Sequence, residues 1–208
     1  MNLLTVLLLF TAMVLSRVSN LRTAVKILLF QSIMVTAACL QAGWNTGEAH
    51  MYIAAVLTVL IKAGLIPFAL FRVVKILRRE RESNPILGPN ISFVASAILI
   101  VLSYWLIDRQ LPGVVSRDAL AASVSLVLIG LLLIMTRRQA VMQIIGLITM
   151  ENGLYLLGLS VTMGLPLVIE LGIFLDVLVA VVVLVILTYR LKLSFMTTDT
   201  SVLKKLKG

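Results

Sequence analysis

Long runs of mainly apolar residues alternate with short breaks, and these breaks together with the C-terminal tail contain most of the charged residues. A helix rises about 1.5 Å per residue, so about 20 apolar residues cross the roughly 30 Å hydrocarbon core of a bilayer. Seven runs reach or approach this length, and we predict a transmembrane helix for each: 2–16, 24–44, 51–76, 89–107, 118–136, 140–161 and 167–190. An odd number of spans predicts that the two ends of the chain lie on opposite sides of the membrane.

The composition supports this reading of the pattern. Hydrophobic residues make up 61% of the sequence and charged residues 13%, whereas a soluble domain has about half apolar and about a quarter charged residues. We therefore predict an all-α integral membrane protein of about seven transmembrane helices. A net charge of +9 would favour a nucleic-acid partner in a soluble domain. Here the basic residues fall between the apolar runs, so we predict membrane lipids as partners and no nucleic acid.

The distribution of basic residues predicts the orientation. Fifteen of the 18 Lys and Arg residues lie at the first, third and fifth breaks, at the ends of the runs that adjoin those breaks, or at the C-terminal tail. Arg109 and Arg117 lie on the opposite side, and Lys62 lies within the third run. Because cytoplasmic loops of membrane proteins are enriched in Lys and Arg, we predict an N-out, C-in arrangement.

A weak internal repeat relates spans one to three to spans five to seven. Each copy comprises a helix, a basic turn, a helix, a turn of low charge, and a third helix with an ionisable residue at mid-depth, Lys62 in the first copy and Asp176 in the second. We divide the chain into N-terminal helices one to four (1–110), helices five to seven (118–193) and a basic cytoplasmic tail (194–208).

Four ionisable residues within the apolar runs are candidates for a functional role. Glu151 is roughly 17 Å from the inner end of span six and Asp176 roughly 14 Å from the outer end of span seven, and Lys62 reaches a similar depth. Glu170 lies near the outer boundary. An ionised side chain at the bilayer centre costs roughly 2.5–3.5 kcal/mol, so such residues face the protein interior or a wet cavity. We predict a proton or ion relay through these four residues. The alternative is a static buried ion pair that only fixes the helix register.

Neighbouring residues support the predicted relay. Asn152 follows Glu151 and can form hydrogen bonds across helices. Pro67 follows Lys62 by five residues and predicts a kink in span three, since it removes a backbone donor. Four glycines predict close helix packing: Gly146, Gly153, Gly158 and Gly172.

No catalytic or redox constellation is visible in the sequence. Cys39 is the only cysteine, so the chain lacks a thiolate set for zinc or an iron–sulfur cluster. Phosphate-binding glycine loops and nucleophile elbows are also missing. We predict no cofactor and no metal in this chain.

Particular motifs carry a resemblance to a known family. They are TMENG at 149–153, IELGIFLDVLVAV at 169–181, KAGLIP at 62–67 and the closing LKKLKG. In these segments and along nearly its whole length, the chain resembles the HyfE-type component of hydrogenase-4, a membrane subunit of group 4 nickel–iron hydrogenases and formate hydrogenlyase.

Spans five to seven are also similar to the K-type subunit of complex I and, more distantly, to the C-type component of Mrp cation/proton antiporters. The K-type pattern has one glutamate on its second helix and another on its third, both in a proton path. Asp176 falls at the third-helix position. Glu151 lies about one turn after the second-helix position, which is Ile148 here, and one turn keeps it on roughly the same face.

The resemblance implies a non-catalytic subunit of an oxidoreductase complex in a bacterial or archaeal cell (inner) membrane. Its implied partners are antiporter-like subunits and a connecting subunit of the complex I H type, with the nickel–iron centre and iron–sulfur clusters on other polypeptides. We therefore predict a subunit that couples hydrogen metabolism to ion translocation. Two alternatives remain: a subunit of an Mrp-like antiporter or other complex I relative, and a purely structural subunit.

Overall fold

The computed structural model describes residues 2–46, 52, 55–56, 59–77, 81–82, 85–110, 117–162, 178, 181 and 185. Within this part of the chain the structure is helical and contains no strand. Its elements are α1 (Asn2–Arg17), α2 (Leu21–Thr46), a π-helical segment (Val59–Leu65), α3 (Ile66–Leu77), α4 (Pro89–Gln110), α5 (Arg117–Thr136) and α6 (Ala140–Thr162).

The predicted spans can be compared with these helices one by one. Spans one, two, four, five and six correspond to α1, α2, α4, α5 and α6, while span three is represented by the π segment and α3. Span seven lies outside the described residues apart from 178, 181 and 185, which are helical. The predicted tail also lies outside them.

Four of the described helices are long and apolar enough to cross a membrane. The spanning stretches are Leu21–Gln41, Pro89–Arg109, Arg117–Thr136 and Ala140–Gly158, and Leu3–Arg17 is a shorter apolar helix. The all-helical prediction is confirmed in this coarser form, as a helical protein with at least these four candidate spans.

The core lies between α1, α2, α5 and α6. α5 packs along α6, α1 packs on α5, and α2 packs on α6. The large side chains buried between them include Leu8, Leu28, Leu126 and Ile129. α4 lies at the periphery, where it contacts α5 and α1, and the π segment and α3 pack on α2.

Glycines allow α5 and α6 to approach at backbone distance. A Cβ atom added at Gly130 would lie 2.5 Å from the Met150 nitrogen, and one at Gly153 would lie 2.8 Å from the Ser123 carbonyl oxygen. A Cβ at Gly146 would lie 2.8 Å from the Leu133 Cβ. Small residues serve this purpose in membrane helix pairs. The packing prediction is confirmed for Gly146 and Gly153.

Three basic connections meet at one end of the bundle. The Glu82 amide donates to the Ser19 carbonyl at 2.9 Å, which joins the α3–α4 connection to the α1–α2 turn. The Ile86 amide donates to the Thr136 carbonyl at the end of α5, also at 2.9 Å. Asn20 begins α2 by accepting the Arg22 amide at 3.0 Å, as helix N-caps do. The chain therefore reverses direction at this end of the bundle between α1 and α2, between α3 and α4, and between α5 and α6.

Candidate functional site

Lys62 and Glu151 form an ion pair in the apolar interior. Lys62 Nζ lies 2.7 Å from Glu151 Oε1, and the two side chains are 1% and 3% exposed. Lys62 comes from the π segment, and Glu151 lies in the middle of α6. The pair therefore joins two elements that are distant in sequence.

Two more residues of α6 complete the surroundings of the ammonium group. Lys62 Nζ donates to Asn152 Oδ1 at 3.2 Å and lies 5.9 Å from the centroid of the Tyr155 ring, within the range of a cation–π interaction. The Tyr155 hydroxyl donates to Cys39 Sγ of α2 at 2.7 Å. These contacts define the candidate site: Lys62, Glu151, Asn152, Tyr155 and Cys39.

Tyr155 and Cys39 were missing from the predicted site. Tyr155 follows Glu151 by four residues, and residues at this spacing lie on the same helix face, so the spacing was a usable signal. Cys39 gave no comparable signal, because its partner is 116 residues away in sequence.

The helix that carries Lys62 is irregular at the predicted place. The backbone is π-helical from Val59 to Leu65 and becomes α-helical at Ile66, directly before Pro67. Pro67 has no amide hydrogen to donate to the carbonyl four residues earlier, and its ring crowds that carbonyl. We attribute the wider turn to this missing bond. Short π-helical segments are frequent at functional sites.

The site retains buried polar atoms without hydrogen-bond partners. Among the described residues, Glu151 Oε2 and Asn152 Nδ2 have none. Both side chains are buried, at 3% and 0% exposure. Unsatisfied buried groups are costly, and unplaced water is a common explanation for them. Glu151 Oε2 therefore keeps its capacity to accept a hydrogen bond.

A second polar contact joins α2 to α6 next to the site. Thr149 Oγ1 donates to Gln31 Oε1 at 3.3 Å, and both side chains are fully buried. Gln31 Nε2 has no hydrogen-bond partner in the described part of the chain. Neither residue was predicted from the sequence, since Gln31 and Thr149 are uncharged and isolated in their apolar runs.

A second buried ion pair lies where the three basic connections meet. Arg137 Nη1 lies 2.8 Å from Glu82 Oε2, and both side chains are 0% exposed. Arg137 also donates to the carbonyl of Ser16 at the end of α1. Glu82 Oε1 accepts the Arg138 amide at 2.9 Å, directly before α6 begins. From the sequence, Arg137 was predicted only as an orientation signal, and Glu82 was not predicted to have a role.

Other predicted site residues fall outside this geometry. Glu170 and Asp176 lie outside the described residues, so their part in the relay stays a prediction. Within the described ranges no group of three or more His, Cys, Asp and Glu side chains is placed to hold a metal ion. The candidate site consists of one cation, one anion and polar neutral groups, which is suited to moving or holding a proton.

Comparison with known proteins identifies relatives over most of the chain. The chain is 30% identical over 192 residues to the uncharacterized protein Rv0085 of Mycobacterium tuberculosis, covering 90% of this chain and 87% of that protein. It is 27% identical over 183 residues to Hydrogenase-4 component E of Escherichia coli K12, covering 87% of this chain and 82% of that protein. The same values hold for Hydrogenase-4 component E of Shigella flexneri. No family model matches the chain, and no solved structure matches it.

Proposed function

We propose a function from one premise: the chain belongs to the same protein family as Rv0085 of M. tuberculosis and is homologous to Hydrogenase-4 component E. The second relative is a component of a hydrogenase, and the helices of this chain are long and apolar enough for a membrane. This homology supports membership of a multisubunit hydrogenase in the membrane. The resemblance seen in the sequence therefore holds at the level of the family.

We infer that this chain is a non-catalytic membrane subunit of a complex I-related nickel–iron hydrogenase of the formate hydrogenlyase type. In this proposal the metal centres reside on partner subunits, and this chain contributes to a proton path across the membrane. The observation that carries the proposal is the Lys62–Glu151 pair, held at 2.7 Å in the interior. An ion pair there costs desolvation energy, which a transport role would justify.

The geometry permits a balanced relay cycle. Transfer of a proton from the Lys62 ammonium to the Glu151 carboxylate gives a neutral pair. Lys62 then accepts a proton from one side, and Glu151 releases its proton through Oε2 to the other side, which restores the ion pair. Each cycle moves one proton. Asn152 fixes the ammonium through its 3.2 Å contact, and Asp176 and Glu170 continue the path in this proposal.

The proposed setting is a bacterial or archaeal cell membrane with seven spans. The end of the bundle where the basic connections meet faces the cytoplasm, since Lys and Arg are enriched there. The proposed partners are antiporter-like subunits and a connecting subunit of the complex I H type.

The test measures proton uptake and hydrogen turnover together in proteoliposomes that contain the whole complex. We expect Glu151→Gln and Lys62→Met to lower the number of protons moved per hydrogen molecule by at least about tenfold, the scale of lost acid–base groups. Hydrogen turnover with artificial electron donors should stay near normal. Lys75→Met is the matched control, because Lys75 is an exposed lysine on α3.

The competing function is structural. It is supported by the direct 2.7 Å contact between two side chains that are buried from solvent. A buried pair can fix helix register without moving a proton. If assembled Glu151→Gln and Lys62→Met complexes keep the normal ratio of protons to hydrogen, the relay is excluded and the structural function stands.

A further inference from the structure

One face of α4 is exposed and wholly apolar. Only 22% of the membrane-spanning stretch of α4 is buried, whereas at least 50% of the corresponding stretch is buried in α2, α5 and α6. A furrow of about 480 Å³ runs along this face and is lined by side chains that include Val94, Ala97, Ile98, Leu102 and Trp105. Ala97 is the smallest of these side chains and leaves a dip between larger neighbours.

The furrow continues into a second cavity that carries charge. This cavity has a volume of about 690 Å³ and lies where α4 approaches the start of α5. Val101 and Trp105 line both cavities. The charged side chains in the lining of the second cavity are Asp108, Arg117 and Asp118. The two cavities together form one amphiphilic groove, apolar along the helix and charged at its end.

Aromatic residues mark the boundary between the two parts. Tyr104 donates to the Asp118 carbonyl at 3.5 Å, and the guanidinium of Arg109 lies 5.4 Å from the Trp105 ring centroid. Trp and Tyr are enriched where hydrocarbon meets headgroups. The apolar part of the groove therefore lies at the depth of acyl chains, and its charged part at the depth of headgroups.

We propose that this groove binds one phospholipid molecule with a zwitterionic headgroup, of the phosphatidylethanolamine type. One acyl chain lies in the furrow against Ala97 and Val101. The phosphate is bound by Arg117 and Arg109, because guanidinium groups form strong charge-assisted hydrogen bonds with phosphate. The ammonium group is bound by the carboxylates of Asp108 and Asp118.

The charge arrangement selects this occupant over other amphiphiles. Arg117 and Asp108 lie only 3.5 Å apart, with side chains 40% and 81% exposed. An exposed pair of this kind gains little by itself and can exchange partners with a headgroup that carries both charges. An anionic lipid would satisfy the arginines but not the two carboxylates, and an uncharged lipid would satisfy neither.

The test is lipid retention by the full chain, purified in detergent with any membrane subunits that remain bound. The protein is incubated with dioleoyl phosphatidylethanolamine or with dioleoylglycerol, exchanged into lipid-free detergent, and its bound lipid is measured by mass spectrometry. Ala97→Phe fills the dip in the furrow. Val6→Phe is the matched control, since it adds the same aromatic side chain to an exposed apolar position on α1.

We expect the unmodified chain to retain phosphatidylethanolamine in preference to dioleoylglycerol. Ala97→Phe should lower the retained phosphatidylethanolamine about tenfold, and Arg117→Gln about fivefold, the scale of a lost charge-assisted contact. Val6→Phe should leave it unchanged.

Three results would overturn the proposal. Equal retention by the unmodified chain and Ala97→Phe means that the furrow holds no lipid. Retention of dioleoylglycerol equal to that of phosphatidylethanolamine means that the charged cavity does not bind the phosphoethanolamine headgroup. Loss of a co-purified subunit from Ala97→Phe, with no change in bound lipid, means that the face docks a partner helix instead.

Discussion

Arg137 and Glu82 are fully buried, although each lies in a short charged segment between two apolar runs. The same residue types a few positions away, such as Arg81 and Arg138, are exposed. The difference arises because α1, α3 and α5 end at one place, and the carbonyl of Ser16 and the amide of Arg138 need polar partners there. Arg137 donates a hydrogen bond to the Ser16 carbonyl, and Glu82 accepts one from the Arg138 amide.

We predict a large stability loss when one member of this pair is removed alone. Arg137→Met should lower the free energy of unfolding by about 3–5 kcal/mol, because it leaves the Glu82 carboxylate buried without a counter-charge. The Glu82→Gln/Arg137→Met double variant should recover part of this loss. Unfolding in detergent micelles measures both, with the exposed neighbouring variant Arg138→Met as control. A double variant as unstable as the sum of its single variants would contradict the coupling.

At the scale of elements, α5 and α6 approach each other to backbone contact at their glycines. The atoms nearest to an added Cβ at Gly130 include the Met150 nitrogen at 2.5 Å and the Gly146 carbonyl oxygen at 2.7 Å. These backbone atoms cannot rotate away as a side chain can. A larger residue must therefore move one helix relative to the other.

We predict that Gly130→Ala destabilises the protein despite its higher helix propensity. The higher helix propensity of alanine stabilises by about 1 kcal/mol, whereas overpacking typically costs about 1–3 kcal/mol. Because the neighbours are rigid backbone atoms, we expect a cost near the upper end of that range. Thermal unfolding in detergent measures the net effect. Gly88→Ala is the control, since no atom lies within 4 Å of the added Cβ, and it should change stability by less than about 0.5 kcal/mol. A Gly130→Ala variant as stable as the parent would exclude tight backbone packing here.

At the scale of the whole molecule, the sequence predicts the helices better than it predicts their contacts. Apolar runs set the spans because the bilayer thickness sets their length, and α1, α2, α4, α5 and α6 agree with this. The sequence predicts a similar depth for Lys62 and Glu151, and the 2.7 Å contact between their side chains agrees with that. Their pairing did not follow from the sequence, because Glu151, Glu170 and Asp176 were all available partners. Gly130 was missed because nothing distinguishes it within its apolar run.

The basic connections meet at one end of the bundle, so the orientation of the chain in the membrane can be tested by labelling one residue at each end. Cytoplasmic loops concentrate Lys and Arg, so Arg81, at the basic end, should face the cytoplasm and Asp118, at the start of α5, the opposite side; both are exposed. In a Cys39→Ser background, we expect a membrane-impermeant maleimide to label Asp118→Cys in intact cells and Arg81→Cys only after permeabilisation. Arg81→Cys leaves the other basic residues of its connection in place, so the substitution alone should not invert the chain. Labelling of Arg81→Cys but not Asp118→Cys in intact cells would reverse the orientation, and with it the side from which Lys62 receives its proton in the proposed relay.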